Sequence, residues 1–149
     1  MAERALKPER ESAVAERKAA FRVRRRSRLQ PPLAAVREGL RYKYFTSLSD
    51  AFGISPRDLA SVMGIPERTL ARRKAEGNFS PEESDRLSRL RRLADFTEDV
   101  LGDRDKASEW LQRPNKALGG EPPLRWLDTD LGSRQVEDVL GRIAHGVTG

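Results

Sequence analysis

Cysteine is absent from the 149-residue chain, and histidine occurs once. The first absence excludes disulfides and thiolate metal sites and fits a reducing compartment, so a cytoplasmic location is expected. The second excludes a His-rich metal centre and leaves His145 as the sole imidazole that a catalytic triad could use. No apolar run approaches the ~20 residues of a membrane span, so no membrane partner is expected. The N-terminus is basic without an apolar signal core, so a secretory leader is not expected either. No run alternates apolar and polar residues with period two, and no strand is predicted. Hydrophobic residues make up 37% and charged residues 35%. That suits one domain or two small ones, with cores small enough to make oligomerisation a live expectation.

What the chain has in excess is positive charge, and the excess is local. The formal net charge is +6. Residues 1–30 hold ten Lys/Arg against four Glu, so that segment carries the whole excess and the remainder is balanced. Such an arm is attracted to polyanions with an affinity that falls steeply as salt rises. It reads as a DNA-contacting arm or as a solvated extension.

Pro31-Pro32 marks a boundary. A short helix is predicted over Leu33, Val36, Arg37 and Leu40, interrupted at Gly39. A second runs from Arg41 to Phe52, with Phe45, Leu48 and Phe52 on one face. Ser55 then suits an N-cap and Pro56 a first helical position. Leu59, Val62 and Met63 form an apolar face, Gly64 allows a tight turn, and Ile65 plugs the junction. Pro66 opens a helix with Leu70 inward, surrounded by Arg68, Thr69, Arg72, Arg73 and Lys74, and Gly77 stops it. Two short helices with a Gly-containing turn match a helix-turn-helix, the basic second helix in the recognition position. Arginine can read guanine through paired hydrogen bonds, and both cations neutralise phosphates, so these five residues are the candidate DNA contacts. The bland alternative is a helical hairpin with a solvated charged face.

Ser80-Pro81-Glu82-Glu83 is a capping box. A long helix to Leu101 is predicted, its apolar residues wrapping more than one face, which implies contact with a core and with a second surface. Gly102 ends it, Asp103 caps a helix over Arg104–Gln112, and Leu118 to Pro123 forms a loop. A short turn carries Leu124, Trp126 and Leu127. Ser133 is read as the cap of a last helix to about His145, with Val136, Leu140 and Ile143 inward.

Catalysis finds no support. The acidic pairs fall at helix starts, where capping explains them, and His145 suits a helix C-terminus. Gly119-Gly120 lacks the flanking elements of a phosphate loop. The two tryptophans read as core. The expectation is a non-enzyme with no cofactor and no metal.

A more specific signal lies in Arg68-Thr69-Leu70 with Arg72-Arg73, then Glu83-Ser84-Asp85-Arg86-Leu87, Gly102-Asp103, Ala107, Trp110-Leu111, Arg113-Pro114-Asn115, Ala117-Leu118-Gly119-Gly120, Pro123-Leu124, Gly132, Val136, Leu140 and His145-Gly146. From about Val36 to Val147 the chain resembles the Xre/MbcA/ParS-type antitoxins; the basic arm is not part of that pattern. The resemblance implies an all-α protein: an N-terminal Xre-like helix-turn-helix bundle over 31–78, following the arm at 1–30, and a small helical toxin-binding domain over 79–149. It implies a partner toxin with a RES domain, which binds NAD and either degrades it or transfers its ADP-ribose. The antitoxin's last helix and tail would sit at the mouth of the NAD pocket. That assigns toxin contact to Arg134, Glu137, Arg142, His145, Gly146 and Val147. Dimerisation and repression of its own operon are implied for the N-terminal part. The alternative is a stand-alone helix-turn-helix regulator whose C-terminal domain only dimerises.

Overall fold

The computed structural model describes residues 30–146. The basic arm, but for its last residue, and the tail residue Val147 fall outside the described residues. The helices are α1 (Leu33–Glu38), α2 (Tyr42–Phe52), α3 (Pro56–Val62), α4 (Glu67–Glu76), α5 (Pro81–Leu101), α6 (Arg104–Gln112) and α7 (Asp130–Ala144). Two 3-10 turns, Lys116–Leu118 and Pro123–Asp128, lie between α6 and α7. No strand occurs among the described residues, only isolated bridges joining Arg41 to Asn78 and Asn115 to Glu121. The fold is all-α, as the missing period-two pattern predicts.

Several helices begin where a short polar side chain satisfies the free amides of the first turn. Ser55 Oγ accepts from the Asp58 amide at 3.1 Å. The Ser80 hydroxyl accepts from the Glu83 amide at 3.2 Å while the Glu83 carboxylate accepts from the Ser80 amide at 2.8 Å, completing the capping box. Asp103 Oδ1 accepts from the Asp105 amide at 3.0 Å.

Gly39, between α1 and α2, does more than interrupt. Its φ is +102°, and a Cβ there would fall onto the Phe79 carbonyl oxygen. The missing side chain lets the α1–α2 connection lie against the α4–α5 connection. Phe79 N donates to Leu40 O at 2.9 Å and Tyr42 N to Gly77 O at 2.8 Å. Leu40 N donates to the buried Ser84 hydroxyl at 2.7 Å.

One continuous core runs from Val36 to Leu140 and includes Phe45, Leu48, Phe52, Leu59, Met63, Leu87, Leu111 and Val136. Residues from Pro32 onward form a single compact unit. Helix α5 is its spine. Leu87, Leu90, Leu93 and Ala94 are buried along it. It packs against α1 and α2 on one side of the chain order and against α6 and α7 on the other. That is the two-surface contact its wide apolar arc predicts.

Two expectations for the last helix are corrected. Its cap is Thr129, not Ser133: Thr129 Oγ1 accepts from the Gly132 amide at 3.0 Å, so the helix starts at Asp130. Ser133 lies inside the first turn and its hydroxyl donates back to Thr129 O at 2.9 Å. Gly132 lies inside the first turn as well. In the fold it is buried, and a Cβ on it would overlap the Trp126 carbonyl oxygen. The second correction is Ile143, which is 40% exposed. The buried stripe of α7 is Val136, Val139 and Leu140. Ile143 continues that stripe by spacing, but the helix has by then run past the edge of the core.

Candidate functional site

Two surfaces stand out, the outer face of α4 and the outer face of α7. Helix α4 buries none of its side chains fully. Its apolar anchor is the partly buried Leu70. The turn before it is held from α5, where Arg86 Nη1 donates to Met63 O at 3.0 Å. Ile65, buried beneath the turn, donates its amide to Ala60 O at 2.9 Å. Helix α3 therefore braces α4 while α4 turns its polar face outward.

On that face Arg68 and Arg72 are exposed and one helical turn apart, with Ala71 and Ala75 beside them. Small residues between two arginines let a helix backbone approach a flat or grooved polyanion closely. Thr69 is half-buried on the flank and Lys74 is exposed. The loose 3.9 Å pair of Arg72 with Glu76 leaves the guanidinium mobile, since both side chains are at least half exposed.

Arg73 is placed differently. Its side chain is only 19% exposed and turns toward α5. Nε donates to Glu83 Oε1 at 2.7 Å, Nη2 to Glu83 Oε2 at 3.4 Å, and Nη1 to Glu76 Oε2 at 3.1 Å. Burial pushes the Glu83 carboxyl up, but the Ser80 amide, the Arg73 guanidinium and the Ser80 hydroxyl outweigh it and hold it below the ordinary carboxylate value. The hydrogen bonds Arg73 donates to Glu83 and Glu76 raise its guanidinium in turn. The structure thus leaves Arg68, Arg72 and Lys74 exposed, with only Arg68 and Arg72 on one side of the helix, and draws Arg73 in toward α5. Glu83 was legible only as a cap; its second partner lies ten residues back in the chain.

Helix α7 presents Arg134, Glu137, Arg142 and His145 as exposed side chains, with Gly146 exposed at its end. Arg134 Nη2 pairs with Asp130 at 3.1 Å, and Asp130 also meets Arg89 of α5 at 3.5 Å. Leu131 is exposed on the same helix. The last turn closes with the Gly146 amide donating to Ile143 O at 3.1 Å, Gly146 having φ +70°. Arg134, Glu137 and His145 share one side of the helix by spacing and Arg142 flanks them.

A cleft of about 530 Å³ lies between α3, the end of α6 and the Pro123–Asp128 turn. Asp58, Ser61, Glu121, Arg125 and Asp128 line it, so no histidine stands beside its one hydroxyl. Among the described residues no three His, Cys, Asp or Glu converge on a point that could hold a metal. Nor is any described helix long and apolar enough to cross a membrane.

The fold therefore defines a helix-turn-helix protein with an appended helical unit that shares its longest helix. Residues 31–92 match the antitoxin Xre-like helix-turn-helix domain, and residues 97–146 match the antitoxin Xre/MbcA/ParS C-terminal toxin-binding domain. The chain is 34% identical over 116 residues to an antitoxin Xre of Photorhabdus laumondii, covering 76% of this chain and 78% of the relative. It is 41% identical over 96 residues to an antitoxin Xre of Yersinia enterocolitica, covering 63% and 65% respectively. An antitoxin Xre of Pseudomonas putida is 31% identical over 112 residues, covering 74% and 69%. The chain belongs to the Xre/MbcA/ParS antitoxin family. It spans just under two thirds of the Yersinia relative's length.

Proposed function

We propose that this chain is the antitoxin of a toxin–antitoxin pair, that it silences a RES-domain toxin by covering the toxin's NAD pocket, and that it binds operator DNA to regulate its own transcription. The observation that carries the reading is the match of residues 97–146 to a toxin-binding domain, with α7 inside it offering an exposed polar face and a closed last turn. Toxin contact falls on Arg134, Glu137, Arg142, His145 and Gly146, with Val147 following them in sequence. The toxin class rests on the sequence resemblance described above, and its chemistry is either NAD hydrolysis or ADP-ribosyl transfer. DNA contact falls on Arg68, Thr69, Arg72 and Lys74. The protein acts on DNA as a homodimer, which lets two recognition helices read paired half-sites.

The test is co-expression with the RES-type product of the neighbouring gene. A complex on size exclusion and loss of NAD consumption are expected. The test variant deletes residues 143–149, of which Ile143 to Gly146 are exposed. That truncation should keep some binding yet restore toxin activity. Full inhibition by the truncated chain would overturn the blockade, and absence of any complex would overturn the pairing.

A further inference from the structure

We infer that Arg73 is a positioning residue of the DNA-reading helix rather than a DNA contact, and that with Glu83 it forms a strut fixing the rotation of α4 on the first turn of α5. The inference rests on the DNA-binding reading of α4.

Three observations lead to it. First, α4 is held loosely by apolar packing. Leu70 is its partly buried anchor and none of its side chains is fully buried. A helix resting on one such contact can roll about its own axis, and rolling would swing Arg68 and Arg72 out of register. Second, Arg73 is three residues from Leu70, on the inward flank, and meets Glu83 through two nitrogens. Two separated contacts, Leu70 and Arg73, resist a roll that one cannot. A forked guanidinium–carboxylate pair also sets direction, not only distance. Third, Glu83 is itself fixed. It is buried in the first turn of α5, its side chain only 11% exposed, and is locked by the reciprocal Ser80 contacts. The base of the strut is therefore held at both its backbone and its carboxylate.

Charge agrees with this placement. Arg73 faces two carboxylates, Glu83 and Glu76. A phosphate approaching it would meet a site already over-neutralised. Arg72, exposed with one loose partner, carries no such burden.

The test uses the full chain, a labelled duplex of the sequence immediately upstream of its gene, and a scrambled duplex. Affinities are measured across a salt series, with helix content checked by circular dichroism. Glu83→Gln keeps the shape and the capping hydrogen bonds, because glutamine serves in a capping box. Both Glu83→Gln and Arg73→Ala should weaken upstream binding by about tenfold, the scale of one displaced base contact, and leave scrambled binding and the salt slope unchanged. Arg72→Ala should lower the slope of log affinity against log salt by about one. The strut is overturned if Arg73→Ala lowers the slope as Arg72→Ala does. It is equally overturned if Glu83→Gln leaves upstream binding intact or tightens it by freeing the guanidinium. If the parent chain shows no preference for the upstream duplex, the DNA-binding reading fails and takes the strut with it; the variants then need not be compared.

Discussion

Gly132 sets where the last helix begins. Its backbone lies directly against the carbonyl of Trp126, so the chain can pass from the Pro123–Asp128 turn into α7 within a single residue, Thr129. Helix propensity alone would favour alanine at an interior helical position. Here the methyl group would overlap backbone rather than a side-chain tip, and backbone cannot swing aside. Gly132→Ala should therefore destabilise the fold by about 1–3 kcal/mol, as overpacking does, instead of stabilising it. Urea unfolding monitored by circular dichroism checks this; a higher midpoint for the variant would show that the contact is slack. The same residue shows why the N-terminus of α7 was misplaced by pattern. Ser133 reads as the cap because serine is a good N-cap residue just ahead of the apolar stripe. The glycine's place inside the helix rests on a tertiary contact, which leaves no trace in local spacing.

At the scale of elements, legibility followed the caps. Ser55, Ser80 and Asp103 each announce a helix through a side chain acting on its own next turn, and α3, α5 and α6 begin beside them. The rotational phase of a helix was harder. For α4, basic residues were read as one set, yet three-residue spacing from Leu70 puts Arg73 on a different side from Arg68 and Arg72. For α7, the apolar stripe is real but longer than the core beneath it. Leu140 is fully buried, whereas Ile143 on the same stripe is exposed. Leu140→Ala should cost about 2–5 kcal/mol, and Ile143→Ala should stay within about 0.5 kcal/mol. Paired denaturation curves decide it: similar losses for the two would mean that the last turn is anchored after all.

At the scale of the whole molecule, the sequence divides more readily than the structure does. The family resemblance divides the chain into residues 31–78 and 79–149, whereas the two matched family regions meet between residues 92 and 97, inside α5. A helix of 21 residues spans about 30 Å, so α5 reaches well into both parts. The core is continuous across it. Residues from Pro32 onward should therefore unfold in one cooperative step. Trp110 and Trp126 both lie in the C-terminal part, while backbone circular dichroism reports every helix. Coincident midpoints from tryptophan fluorescence and circular dichroism are expected, and a fluorescence transition separated from the circular dichroism transition would mean that the parts fold independently. The positive charge was the most plainly written feature of all, because counting alone locates it in the first 30 residues.

The end of α7 carries one more consequence. The turn from Ile143 to Gly146 is already wound and closed by its own hydrogen bond although it overhangs the core. A surface shaped before encounter loses little conformational freedom when a partner meets it, so contact energy there goes into affinity instead of into ordering the chain. The overhang leaves Ile143, an apolar side chain, half in water among polar neighbours. In the free protein that costs a little solubility. A partner that covered it would gain apolar contact on a turn that is already formed.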